Sequence, residues 1–117
     1  MKSEVMIDGV AYVPKDQDAK CMDGMPYKIV RSYSAGVFAG YIEKREGKEV
    51  TIRNARRIWK WAGAASCSQL AMEGVSDPDN CKFPVEVDRI VVIEAIEVLD
   101  CTEAARQSIK GVPVWEA

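Results

Sequence analysis

Histidine is absent from the 117 residues. With it go the commonest general acid–base, the base of a Ser-His-Asp triad and the favoured metal ligand, because no other side chain has an unperturbed pKa near neutrality. No stretch approaches the ~20 apolar residues needed to span a bilayer, and Met1 to Asp8 is charged and lacks the apolar run of a signal peptide. A cytoplasmic protein with no membrane segment is predicted. Cys21, Cys67, Cys81 and Cys101 include no CxxC pair, so zinc-ribbon spacing is not met; free thiols are expected, with a metal site assembled in space from all four as the alternative. A G-x-S-x-G elbow, a P-loop and a dinucleotide fingerprint are also lacking, which leaves hydrolase and oxidoreductase readings without their parts. A large net charge is missing too: 16 Lys and Arg against 18 Asp and Glu give −2, unlike the globally basic chain of many nucleic-acid binders.

What is present is a chain 48% hydrophobic and 29% charged, the balance of an ordinary globular domain, and its length suits one core spanning 1–117. The near-zero net charge hides an asymmetry. Lys44 to Lys60 holds seven basic residues against Glu46 and Glu49, a local +5 that leaves −7 on the remainder. Such a ribbon can contact an anionic ligand, pair with its own acidic neighbours, or be solvated.

The pattern along the chain predicts mostly strands. Val5 to Val13 reads as a hairpin about Asp8-Gly9, ended by Pro14, and Lys15 to Met25 as a loop. Tyr27 to Tyr33, Val37 to Glu43 and Glu49 to Arg53 alternate as a meander, joined by Ser34-Ala35-Gly36 and by Arg45 to Lys48. Asn54 to Trp61 is read as a further strand, with Arg57, Trp59 and Trp61 on one face and Arg56, Ile58 and Lys60 on the other. Ser66 and Gln69 form a capping box for a short helix ended by Gly74. Asp88 to Leu99, with its run Ile90 to Ile93, reads as the most buried strand. Thr102 caps a second helix, Glu103 to Ile109. The expectation is an α+β domain: a mainly antiparallel β-sheet of six or seven short strands with two short helices in the C-terminal half. An all-β barrel with two helical turns is the near alternative.

Two constellations could carry chemistry. In Arg53 to Trp61 guanidinium groups lie close to indoles, so a phosphate fork and a stacking face stand together as a nucleotide requires; equally, Trp59 and Trp61 could be core or interface residues with Arg57 across them. In Tyr27 to Gly40 the Ser-Ala-Gly turn, with Arg31 and Tyr33 beside it, could bring backbone amides to an anion, or be a plain hairpin turn. Asp77, Asp79, Glu86 and Asp88 match no calcium-loop spacing and read as a solvated loop.

The segments RSYSAGVFAG (31–40), NARRIWKWAGAASCSQLAMEG (54–74) and CKFPVEVDRI (81–90) resemble a family of small uncharacterised bacteriophage and prophage proteins. Size, the N-terminal sheet with C-terminal helices and the Arg/Trp cluster are, at the level of fold, similar to phage anti-Thoeris proteins. That resemblance implies an oligomeric sponge in the cytoplasm of an infected bacterial host, which binds and sequesters a nucleotide immune signal, a cyclic ADP-ribose isomer or cyclic oligonucleotide, without catalysis or cofactor. It further implies that Arg31, Arg53, Arg56, Arg57 and Arg106 hold phosphates while Tyr33, Trp59 or Trp61 stacks on a base. The competing reading is a nucleic-acid- or host-protein-binding module using the basic segment 53–61. A structural protein of the phage particle is the third.

Overall fold

The computed structural model describes residues 18–116 together with two N-terminal strands, β1 (Val5–Ile7) and β2 (Val10–Tyr12), which pair antiparallel with each other. The hairpin expected there is present as these strands; its Asp8-Gly9 turn, and Val13 to Gln17, lie outside the described residues.

The main sheet grows from a meander of β3 (Tyr27–Ser32), β4 (Val37–Glu46) and β5 (Glu49–Ile58). At the first turn the Ser32 hydroxyl accepts from the Ala35 amide at 2.7 Å and the Ser32 amide donates to the Gly36 carbonyl at 2.9 Å. The second turn is only Gly47 and Lys48, so both flanking strands run longer than their alternation suggested, and β5 joins two segments expected as separate strands. Two bulges interrupt the β4–β5 ladder, one at Glu43 on β4 and one on β5 opposite Gly40. Gly40 faces Asn54 and Ala55 across a bulge, and Asn54 takes a φ of 50° to absorb the extra residue. No side chain fits at Gly40, where a Cβ would stand 2.5 Å from Ile52 Cγ2 and 2.9 Å from the Arg53 carbonyl oxygen.

The segment expected to be the most buried strand is two edge strands instead. β6 (Val87–Val92) pairs with β5, β7 (Ala95–Asp100) pairs with β3, and the sheet order is β6-β5-β4-β3-β7. Val87, Val91, Ile93 and Ile96 are exposed, because an edge strand packs on one side only. Two residues, Ile93 and Glu94, separate strands at opposite edges. In a flat five-stranded sheet those edges would lie ~19 Å apart, whereas three Cα steps reach about 11 Å. The sheet must therefore curl until the end of β6 and the start of β7 lie within that reach, and the corner is held by the Tyr33 amide on the Glu94 carbonyl at 3.0 Å and the Ala95 amide on the Lys48 carbonyl at 2.9 Å. The fold is α+β with both helices in the C-terminal half, as expected, and the count of six or seven strands in one sheet is corrected to five, plus the separate pair β1 and β2.

Curling produces two cores. Val30, Phe38, Val50, Ile52, Ala55 and Val92 fill the inner face. The outer face, through Tyr27, Ile29, Ala39, Tyr41 and Ile58, packs on α1 (Cys67–Glu73) and α2 (Glu103–Gly111). The caps read from sequence are made: Ser66 Oγ accepts from the Gln69 amide at 3.2 Å, and Thr102 Oγ1 accepts from the Ala105 amide at 3.1 Å. Thr102 also donates to the Met72 carbonyl at 2.6 Å, tying the two helices together. Among the described residues no helix is long and apolar enough to cross a membrane.

Candidate functional site

Strand β5 delivers Arg57 to the same face as Phe38, its cross-strand partner. The guanidinium carbon stands 4.5 Å from the centre of the Phe38 ring, and Nη1 donates to the Ala35 carbonyl at 2.6 Å. A cation held over an aromatic face keeps its fork in place at a cost of few donors. The remaining N–H groups of this guanidinium make no hydrogen bond among the described residues, and no carboxylate pairs with it. Two cavities flank it. One, of about 260 Å³, is floored by Phe38 and lined by Ser32, Val91, Ile93 and Glu94; the other, of about 220 Å³, lies between Gly36, Val37 and Trp59. The Glu94 carboxylate accepts from the Ser34 hydroxyl at 3.4 Å, so the larger cavity offers a planar cation on one wall and an acceptor on another. That arrangement suits a molecule carrying an anionic group and hydroxyl or amine donors.

Among the described residues, Arg57 is the one of the five candidate arginines that is neither paired with a carboxylate nor enclosed by carbonyls. Arg31 is bonded to Glu97 on β7 at 3.1 Å, and Arg53 to Glu43 at 3.2 Å and to the Asp88 carbonyl. Arg106 grips both oxygens of Glu103, at 2.9 and 2.7 Å, and reaches the Tyr41 hydroxyl. This guanidinium beside it holds the Glu103 carboxyl down at about 2. Arg56 is 4% exposed and donates to the carbonyls of Phe83, Pro84, Ile109 and Lys110; burial pulls its pKa down, and no ligand reaches it. Within the +5 ribbon, Arg56 is thus spent inside the protein and Arg53 on Glu43, while Lys44, Arg45, Lys48 and Lys60 are exposed.

The aromatic residues divide too. Trp59 is 67% exposed and lines the smaller cavity; Tyr33 is 79% exposed, lines neither cavity, and is anchored by its amide on the Glu94 carbonyl. Trp61 is on the other side, its indole N–H on the Ala64 carbonyl at 3.1 Å and its ring against the helix-side core. This corrects the expected shared face of Trp59 and Trp61. The amides of Trp59 and Lys60 both donate to the Lys82 carbonyl, at 3.1 and 3.2 Å, a bulge that interrupts the alternation between them. Phe38 and Glu94 were missed by the sequence reading; the register of a long β4–β5 hairpin would have placed Phe38 under Arg57, but nothing local marks Glu94.

All four cysteines are free, with Cys81 and Cys101 buried. Burial pushes the Cys101 thiol up to about 12. Among the described residues no three acidic or thiol groups converge in a way that could hold a metal ion.

The chain belongs to the family described as a domain of unknown function, DUF6948, whose model matches residues 25–109. That span takes in the whole curled sheet, α1, all but the last two residues of α2, and the Arg57 rim. No curated protein and no solved structure matches the chain.

Proposed function

We propose that the protein is a binding domain that holds a small nucleotide-type anion at the mouth of the curled sheet and does not transform it. The observation that carries this reading is Arg57, set flat on Phe38 between two cavities with most of its donors unused. A phosphate accepts a bidentate pair of bonds from such a fork, while Trp59 and Tyr33 offer faces for a base and Glu94 an acceptor for sugar hydroxyls. A chain without histidine suits sequestration, which requires affinity and no general base. With the resemblance to phage proteins, this becomes a counter-defence role: removal of a cyclic ADP-ribose isomer or cyclic oligonucleotide from the cytoplasm of an infected bacterium. The protein acts as a homo-oligomer, in which a second copy covers Val91 and Ile93, exposed side chains that line the same cavity.

The test is to incubate the protein with cyclic ADP-ribose isomers and cyclic oligonucleotides, remove free ligand, heat-denature it and assay the supernatant by mass spectrometry. Retention followed by release on heating is expected for at least one of them. Release of none overturns the reading.

A further inference from the structure

The ladder of β5 continues past Ile58. Trp59 and Lys60 pair with Lys82, whose amide returns a bond to the Lys60 carbonyl at 2.7 Å, and beyond it Phe83 pairs in parallel with Val114 while the Trp115 amide donates to the Phe83 carbonyl at 3.0 Å. Three short segments thus make a ledge beside the Arg57 rim. Ile58, Cys81 and Phe83 turn into the helix-side core, so their neighbours Arg57, Trp59 and Lys82 turn outward, and the bulge at Trp59 and Lys60 keeps those two side chains together. The Lys82 ammonium lies 5.2 Å from the centre of the Trp115 ring. Trp59 and Trp115 are exposed.

Lys60 and Lys82 are direct cross-strand partners. Like charges so placed weaken a strand pair, and among the described residues no carboxylate forms an ion pair with either. The isolated protein gains nothing from this repulsion. A polyanion lying between the two ammonium groups removes it. Exposed indoles interleaved with cations are the means by which single strands are held without sequence preference, bases stacked and backbone neutralised. Lys60 lies three residues beyond Arg57, roughly 10 Å along the strand at ~3.3 Å per residue, farther than one phosphate bridges. We propose that this ledge binds a single-stranded oligonucleotide, its phosphates on Lys60 and Lys82 and its bases on Trp59 and Trp115, extending the Arg57 site from one phosphate to several. The extension rests on the reading of Arg57 given above; the lysine ledge can be tested apart from it.

The probe is a fluorescein-labelled oligothymidylate of about a dozen nucleotides, a length within one small domain's reach, titrated by anisotropy at low and rising salt, with adenosine monophosphate as the single-phosphate comparison. Saturable binding to the wild-type protein is expected. The double variant Lys60→Gln, Lys82→Gln, at exposed or half-buried positions that leave the core intact, should bind the oligonucleotide about tenfold more weakly, with a salt slope shallower by about 1.4, the contribution of two phosphate contacts on a single strand. Its adenosine monophosphate binding should be unchanged. Failure of the wild-type protein to bind the oligonucleotide at low salt overturns the proposal, as does an unchanged slope in the double variant. Oligonucleotide binding that depends on the lysines while adenosine monophosphate fails to bind upholds the ledge and removes the Arg57 site.

Discussion

Arg56 donates from Nη1 to the Ile109 carbonyl at 2.9 Å, and that bond joins β5 to the last turn of α2. The last carbonyls of a helix lack intrahelical partners and carry partial negative charge, so a buried guanidinium answers both needs; Phe83 and Pro84 supply further acceptors. Arg56→Ala leaves this set of carbonyls without a donor in a place water does not reach, and should cost about 3 kcal/mol or more. Arg56→Lys should recover only part, since one ammonium cannot span acceptors on two segments. Urea denaturation of the three proteins measures the loss.

The neighbouring arginine should behave in the opposite way. Arg57→Ala removes one stacking contact and one bond at a half-exposed position, which puts its stability cost at about 1 kcal/mol. Ligand retention should nevertheless vanish if its free donors grip phosphate. A variant that stays folded and still retains ligand would show that Arg57 only covers Phe38.

Gly40 tests the bend. A methyl group there meets Ile52 and the backbone at Arg53 and Ala55, which cannot yield without flattening the bulge that curls the sheet. Gly40→Ala should cost about 1–3 kcal/mol. At Gly36, where a Cβ meets nothing within 4 Å and only the φ of +100° is strained, the same change should cost about 1 kcal/mol. Paired denaturation curves separate steric from conformational cost.

Acid should weaken the protein through Glu103. Its carboxyl is held down at about 2, chiefly by the Arg106 side chain, so between about 4.5 and 2 the unfolded chain binds the proton and the folded one does not. Stability from this pair is present in full above pH 4.5 and is lost as pH falls toward 2. Glu103→Gln should be less stable near neutrality and lose less across that window. Denaturation midpoints at pH 6 and at pH 3 read the difference, and parallel losses in the two proteins would contradict it.

The meander, both caps and the glycine turns were legible because each is a local rule: alternation, a serine or threonine before a helix, a residue free to take positive φ. What local pattern could not supply was which edge a strand joins. The run from Ile90 to Ile93 has the composition of a central strand, yet Val91 and Ile93 stand exposed because the chain changes edge there. The same gap explains the candidate site. Arg56 and Arg57 are chemically identical in the sequence, and only the packing of α2 against one face of β5 makes one an internal tie and leaves the other at a rim. Trp61 was misplaced for a smaller reason, a single bulge opposite Lys82 that shifts the alternation by one residue.

Thiol chemistry offers a probe of the strand strap near the N-terminus. Cys21 and Cys101 line the same cavity of about 260 Å³, but Cys21 is exposed and Cys101 is buried. Burial also pushes the Cys101 thiol up to about 12, so almost none of it is the reactive thiolate at pH 8. Alkylation of the native protein should label exposed Cys21 first and Cys67 more slowly, since burial raises that thiol too. Cys81, buried with its sulfur on the Asp77 carbonyl at 3.4 Å, and Cys101 should react only after unfolding. Peptide mapping over time gives the order. Because the Ala19 amide donates to the Cys101 carbonyl at 3.1 Å and the Lys20 amide to Glu103 at 2.7 Å, labelling of Cys101 at the rate of Cys21 would mean that residues 18–21 leave the sheet edge in solution, taking with them the cover that keeps this thiol protonated.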